Sequence, residues 1–173
     1  MNRKALIIVD MLNDFISPQG ALYCGESAEK IVPFIQERLA AYRAAKETVI
    51  YLQDAHASND KEFDRFPPHC VAGTQGSQII AELTPRNGEP VLPKTRYSGF
   101  FGTNLEKILA EIRPERVEVV GVCTSICVMD TVGGLANRDY AVTVPEKGVA
   151  DFDDQFHQFA LQRMQKLYGA QVS

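Results

Sequence analysis

The sequence predicts an α/β fold of three layers, α/β/α, built around a largely parallel central sheet. Short β-branched segments alternate along the chain with longer stretches of helical periodicity. The first of these segments, Ala5-Leu6-Ile7-Ile8-Val9, is apolar throughout, as in a strand covered on both faces. No internal repeat or low-complexity tract interrupts the alternation.

Taken in order, residues 5–9 form the first strand and Thr48-Val49-Ile50-Tyr51-Leu52 the second. Between them Ile31, Ile35, Leu39 and Tyr42 share one face of a helix entered near Ser27. Val117 to Val120 and Ala141 to Val144 supply two more strands. Further helices are expected from Thr103 to Ile112, from Cys127 to about Asn137, and from about Gln155 to Tyr168. The stretch from Ala55 to Gln75 breaks the rhythm. It is polar, carries Pro67-Pro68 and exceeds the usual connection length, which marks it as a functional loop. In open parallel sheets, sites form beyond the carboxyl ends of the strands, and here those ends carry Asp10, Asp54 and the turn before Cys127.

The 173 residues suit one domain, residues 1–173, large enough to bury roughly two thirds of the unfolded surface. The net charge is −4, with acids and bases interspersed and no basic stripe, so neither nucleic acid nor an anionic membrane is the expected partner. A small neutral or anionic molecule fits better. No apolar run approaches the length of a membrane span. Met1-Asn2-Arg3-Lys4 leads directly into a strand too short for the apolar region of a signal peptide. A cytoplasmic protein is therefore expected, with Cys24, Cys70, Cys123 and Cys127 reduced. The last two stand four apart, matching neither a C-x-x-C redox pair nor a zinc knuckle.

Cys127 follows the apolar run Val119-Val120-Gly121-Val122-Cys123-Thr124-Ser125-Ile126 and falls on the opening turn of the next helix. Unpaired N–H groups and the partial positive charge at a helix N-terminus favour a thiolate and can receive an anionic oxygen. Most free cysteines are simply small buried hydrophobes, so the company Cys127 keeps matters. Asp10, at a strand end, can be desolvated enough to take and return a proton near neutral pH, although an aspartate there also suits an Asx turn or a cap. Lys94, within Leu92-Pro93-Lys94-Thr95-Arg96-Tyr97-Ser98-Gly99, could hold Cys127 as thiolate or steady the charge on Asp10. Asp54-Ala55-His56 leaves its strand with the carboxylate and imidazole on one side, and His69 follows with Asp60, Glu62 and Asp64 between. Two imidazoles with carboxylates describe an open site for zinc or a similar divalent ion. Two of the three histidines of the chain fall in this loop, as a metal site would require.

With Asp10, Asp54-x-His56, Pro67-Pro68-His69-Cys70-Val71-x-Gly73-Thr74-x-Gly76, Lys94 and Gly121-Val122-x-Thr124-x-x-Cys127-Val128 in this order, the chain resembles the isochorismatase-like cysteine hydrolases. Within them it is most similar to the nicotinamidases, over essentially the whole chain. The resemblance implies Cys127 as nucleophile, Asp10 as proton shuttle and Lys94 as the cation completing a triad. It makes Asp54, His56 and His69 metal ligands, with Glu62 as an acidic fourth. Zinc is the first choice of ion, and manganese and iron are alternatives. It also implies a cis peptide at Val122-Cys123, an oxyanion hole from the Cys123 and Cys127 amides, and a slot for a planar ring lined by Phe15, Phe66 and Tyr97. The implied reaction is hydrolysis of nicotinamide to nicotinate and ammonia through a cysteine thioester, in a homo-oligomer serving pyridine nucleotide salvage and NAD biosynthesis. Two positions depart from the pattern: Ala55 stands where many nicotinamidases carry Trp, and Ser125 where the family is often acidic. Two alternatives stay open. One is a relative acting on isochorismate or another small amide, and the other a non-catalytic metal-binding or thiol protein on the same fold.

Overall fold

The computed structural model describes residues 3–173, so Met1 and Asn2 of the expected N-terminal lead lie outside the described residues. The chain runs β1 (Lys4–Val9), α1 (Asn13–Ile16), α2 (Glu26–Lys30), α3 (Val32–Ala44), β2 (Thr48–Asp54) and β3 (Val91–Lys94). It continues through α4 (Leu105–Ile112), β4 (Arg116–Val122), α5 (Met129–Ala136), β5 (Val142–Val144), β6 (Val149–Ala150), α6 (Asp154–Leu167) and β7 (Gln171–Val172). The strands form one sheet in the order β3-β2-β1-β4-β5-β7, with β6 also on β4, and the pairings are parallel.

Period-two alternation sorts the strands onto two cores. Ala5, Ile7, Val9, Ile50, Leu52, Val117 and Val119 face Leu105 and Leu109 of α4, Val132 and Leu135 of α5, and Ala160 and Met164 of α6. Leu6, Ile8, Val49, Tyr51, Val120 and Val122 face Ala28 of α2 and Ile35, Leu39 and Tyr42 of α3. These are the expected three layers.

The expected helix from Ser27 to Tyr42 is divided at Ile31 into α2 and α3. Pro33 lies in the first turn of α3, where its missing N–H costs nothing, whereas inside a continuous helix it would remove a bond. Ile31, Ile35, Leu39 and Tyr42 are nevertheless all buried, as their spacing predicts. The helix expected to open at Cys127 begins earlier: Thr124–Val128 form a turn of π-helix that runs into α5. Strand β3 was not among the expected strands, and it carries Pro93. It is an edge strand, where proline is tolerated. Strands β6 and β7 span two residues each, too few to show a period. The stretch from Ala55 to Gln75 is a loop as expected, apart from one 3-10 turn at Lys61–Asp64.

One glycine is dictated by this packing. Gly121 on β4 has φ 119°, and a Cβ there would lie 2.0 Å from the Val9 carbonyl oxygen, just before Asp10. Gly121→Ala is expected to lower stability by about 2–4 kcal/mol in urea unfolding. An unchanged midpoint would count against this close approach.

Candidate active site

Neighbouring parallel strands deliver the reactive groups side by side. The register pairs Asp54 of β2 with Lys94 of β3 and Val9 of β1 with Gly121 of β4, so Asp10 and the Cys123 turn leave the sheet at one end. Asp10 adopts φ 50°, its N–H donates to Leu52 O at 3.0 Å, and its Oδ1 accepts the Asp54 N–H at 3.0 Å. Lys94 is 1 % exposed and Asp10 fully buried. The three N–H donors of the ammonium go to Asp54 Oδ1 at 2.5 Å, the Arg96 carbonyl at 3.1 Å and Cys127 Sγ at 3.3 Å. Asp10 Oδ2 lies 2.8 Å from Lys94 Nζ but has no well-aligned donor, so the contact is an ion pair rather than a directed hydrogen bond. Ligating atoms of Asp10, Asp54 and Cys127 all lie within 4.8 Å of one another.

Beside this cluster stands the histidine loop. The His56 N–H donates to Cys70 O at 3.0 Å and the Ala72 N–H to His56 O at 2.9 Å, a bridge that draws residue 69 alongside. Asp14 holds the other side of the loop: its carboxylate accepts the Cys70 N–H at 2.7 Å and the Ala21 N–H at 3.1 Å. Asp54, His56 and His69 each present a ligand atom within 4.8 Å of the others. His69 Nδ1 donates to the Pro67 carbonyl at 2.8 Å, and His56 Nδ1 pairs with Asp60 at 3.2 Å. These bonds leave both Nε2 atoms as lone-pair donors, the arrangement that orients metal-bound imidazoles. His56 Nε2 and Glu62 Oε2 are buried with no hydrogen-bond partner, an unfavourable state that a cation would relieve. Glu62 Oε1 is 3.9 Å from His69 Nε2, while Asp64 is exposed and Asp60 is already held by Arg96 at 3.0 Å. The residues therefore fit a divalent cation, with Glu62 the acid placed to join.

A small cavity opens beside the two clusters, with Asp54, Glu62, His69, Cys123 and Cys127 on its walls. Phe15, Phe66 and Tyr97 also line it. The Val122-Cys123 peptide is cis, as the resemblance implies. The Cys123 carbonyl accepts from Ile126 N–H at 3.1 Å and Val128 N–H at 3.2 Å, passing over the Cys127 amide between them.

An isochorismatase domain model matches residues 4–173, essentially the whole chain. The chain belongs to the isochorismatase family. The crystal structure of nicotinamidase/pyrazinamidase PncA from Bacillus subtilis is 34 % identical, covers 99 % of this chain and 99 % of its own, and superposes with a TM-score of 0.93. N-carbamoylsarcosine amidase from Thermoplasma acidophilum is also 34 % identical, over 99 % of this chain and 95 % of its own, with a TM-score of 0.89. Pyrazinamidase of Pyrococcus horikoshii, solved in complex with zinc, is 29 % identical over 99 % and 98 %, with a TM-score of 0.93. The chain is thus an amidohydrolase of the isochorismatase family, and no helix among its described residues is long and apolar enough to cross a membrane.

In this isochorismatase-family hydrolase burial and neighbouring charge set the proton affinities of the three buried groups. Burial pushes the Cys127 thiol well above its ordinary value, and the facing Asp10 and Asp54 carboxylates add to the effect while Lys94 opposes it. Lys94 thus serves the carboxylates and also donates to a sulfur whose ionisation burial resists. For Lys94, burial works against the charge, but the facing carboxylates, Asp10 before Asp54, outweigh it and hold the ammonium well above its usual range. Asp10 rises to about 7, through burial first and Asp54 second. It is therefore a carboxylate able to accept and release a proton near neutrality.

Sequence reasoning missed several residues. Phe63 stacks edgewise on His56 and His69, with ring centroids 5.5 and 5.6 Å away. Leu22, Ile126 and Phe152 complete the cavity wall. An aromatic directly after Asp151 was the available signal for Phe152, and nothing in the pattern marked the others.

Because its folded value of about 7 exceeds the ordinary 3.8, Asp10 in the folded protein binds a proton that the unfolded chain has already lost over that window. Its contribution to stability is greatest at low pH and falls as pH rises from 3.8 to about 7. The difference in unfolding free energy between metal-free wild type and Asp10→Asn should show that slope. A difference independent of pH would remove the elevated carboxyl.

Proposed function

We propose that this hydrolase converts nicotinamide to nicotinate and ammonia through a thioester on Cys127. The reading is carried by one observation: the cluster of Asp10, Lys94 and Cys127 adjoins an Asp54, His56 and His69 ligand set, and Cys127, Asp54 and His69 open onto one aromatic-lined cavity. The nicotinamidase/pyrazinamidase and zinc-bound pyrazinamidase relatives support the substrate class. A carboxamide is a poor electrophile, so its cleavage needs a strong nucleophile, a site for the oxyanion and a proton for departing ammonia.

Asp10 takes the Cys127 proton at Oδ2, the carboxylate oxygen without an aligned donor, and Lys94 stays protonated throughout. The sulfur attacks the amide carbon, and the Cys123 and Cys127 amides receive the oxyanion. Asp10 passes its proton to the amide nitrogen, the C–N bond breaks and ammonia leaves. Asp10 then deprotonates water, which attacks the thioester, and the sulfur departs and regains a proton. Asp54, His56 and His69, joined by Glu62, would hold a divalent ion, zinc by the nature of the donors, whose contribution is to bind the ring nitrogen and orient the amide. Phe15, Phe66 and Tyr97 bracket the planar ring. The products enter pyridine nucleotide salvage in the cytoplasm. Exposed Phe101, Phe156 and Phe159 support a homo-oligomer.

One alternative has a specific observation behind it, since the N-carbamoylsarcosine amidase is as identical to the chain as the B. subtilis nicotinamidase, at 34 %. A carbamoyl substrate offers no ring nitrogen, and its hydrolysis would survive chelation.

Purified protein should release ammonia from nicotinamide, lose that activity on chelation and recover it with zinc. Cys127→Ala should reduce turnover at least about 1,000-fold while remaining folded. Failure of wild type to release ammonia would overturn the nicotinamide reading. Separately, His69→Ala is expected to lose bound metal by elemental analysis and to raise KM for nicotinamide about 10-fold or more, with a smaller fall in kcat. A pure kcat loss would contradict a ring-binding role for the ion.

A further inference from the structure

Two polar side chains outside the proposed machinery grip the turn that presents Cys127. Asp151 directly follows β6, which pairs with β4 at Gly121 and Val122, so it emerges beside Cys123. It is 4 % exposed. Its Oδ2 accepts the Ser125 N–H at 2.7 Å, Oδ1 faces the Asp153 N–H at 3.4 Å, and its backbone carbonyl accepts the Ser27 hydroxyl at 3.0 Å. One segment later, His157 on α6 places Nδ1 at 2.8 Å from Oγ1 of the fully buried Thr124. The first two residues of the turn that carries Cys127 are thus each held, Ser125 from the link between β6 and α6 and Thr124 from α6 itself.

An electrostatic purpose would be the wrong one. A carboxylate at this helix start opposes thiolate formation nearby, and Asp151 indeed acts to raise the neighbouring Cys123 thiol, behind the larger effects of Cys24 and burial. What Asp151 supplies is a fixed acceptor for an otherwise orphaned amide, two residues before the nucleophile. The Cys123 and Cys127 amides lie on either side of that anchored Ser125, so their direction follows from it. Misplacing reacting groups by about 1 Å can cost about 100-fold in rate.

We propose that Asp151, assisted by His157, is a positioning residue that sets the Cys123 to Cys127 turn against Asp10. This rests on the reading of Cys127 as nucleophile. The acceptor, rather than the charge, is the working feature, so Asp151→Asn and Asp151→Ala should separate.

The test compares these two variants and the near-isosteric Thr124→Val for thermal stability, nicotinamide kinetics and the rate of Cys127 alkylation by iodoacetamide, read by mass spectrometry. Asp151→Ala is expected to lower kcat about 10- to 100-fold with KM changed less than about 3-fold. Asp151→Asn should recover most of the rate, and Thr124→Val should show a smaller kcat loss of the same kind. Wild-type kcat in Asp151→Ala, or equal loss in Asp151→Asn, would overturn the proposal. Should Asp151→Ala fail to fold, an unimpaired Thr124→Val together with an impaired Asp151→Asn would overturn it equally. If wild type does not act on nicotinamide, the substrate reading fails alone. Alkylation then decides: slowed in Asp151→Ala and restored in Asp151→Asn supports the role, and equal rates in all variants overturn it.

Discussion

Burying the ammonium of Lys94 is the constraint around which the rest of this molecule is arranged. An unpaired charge at that depth would cost several kcal/mol, so the surrounding chain must supply opposite charge and directed acceptors together. Asp54 and Asp10 supply the charge, and the Arg96 carbonyl and Cys127 sulfur complete the donor geometry. Meeting that demand brings the ends of β1, β2 and β3 and the turn after β4 to one point. Parallel pairing makes this possible, because neighbouring strands of such a sheet release their chains at the same edge.

The same demand divides the labour between two carboxylates that differ little in sequence. Asp54 is bound by Lys94 on one oxygen and faces His56 on the other, at 3.6 Å, and the ammonium and imidazole hold it below the ordinary range despite the cost of burial. Asp10 has the weaker directed bonding and sits beside that permanent negative charge, so it alone rises toward neutrality. One aspartate is thereby suited to hold a cation and the other to move a proton. Asp54 also ties the two halves of the site together, since its position cannot shift in one half without disturbing the other.

The histidine half obeys the logic of outer supports. His56 and His69 are oriented by Asp60 and the Pro67 carbonyl, and wedged by Phe63. Arg96 neutralises Asp60 in turn, and the Glu62 N–H holds that carboxyl down to about 2. A loop of this length would be poorly ordered without such anchors. Asp14 of α1 and the internal bridge between His56 and Val71 hold it in place instead.

The apolar runs, their period and the order of motifs determined the layers, the main strands and the identity of Asp10, Asp54, His56, His69, Lys94 and Cys127 as a group. Those signals are local: a strand's covering and a motif's spacing are written in consecutive residues. Asp151, His157, Phe63 and Asp60 were illegible as supports because each acts through space on a residue whose neighbourhood only folding creates. The proton affinity of Cys127 was illegible for the same reason. A helix start and a nearby lysine favour thiolate, whereas complete burial beside two carboxylates pushes the thiol up. Sequence names the ionisable groups, and tertiary structure decides which of them keeps the proton, because desolvation and charge proximity are properties of the packed state alone.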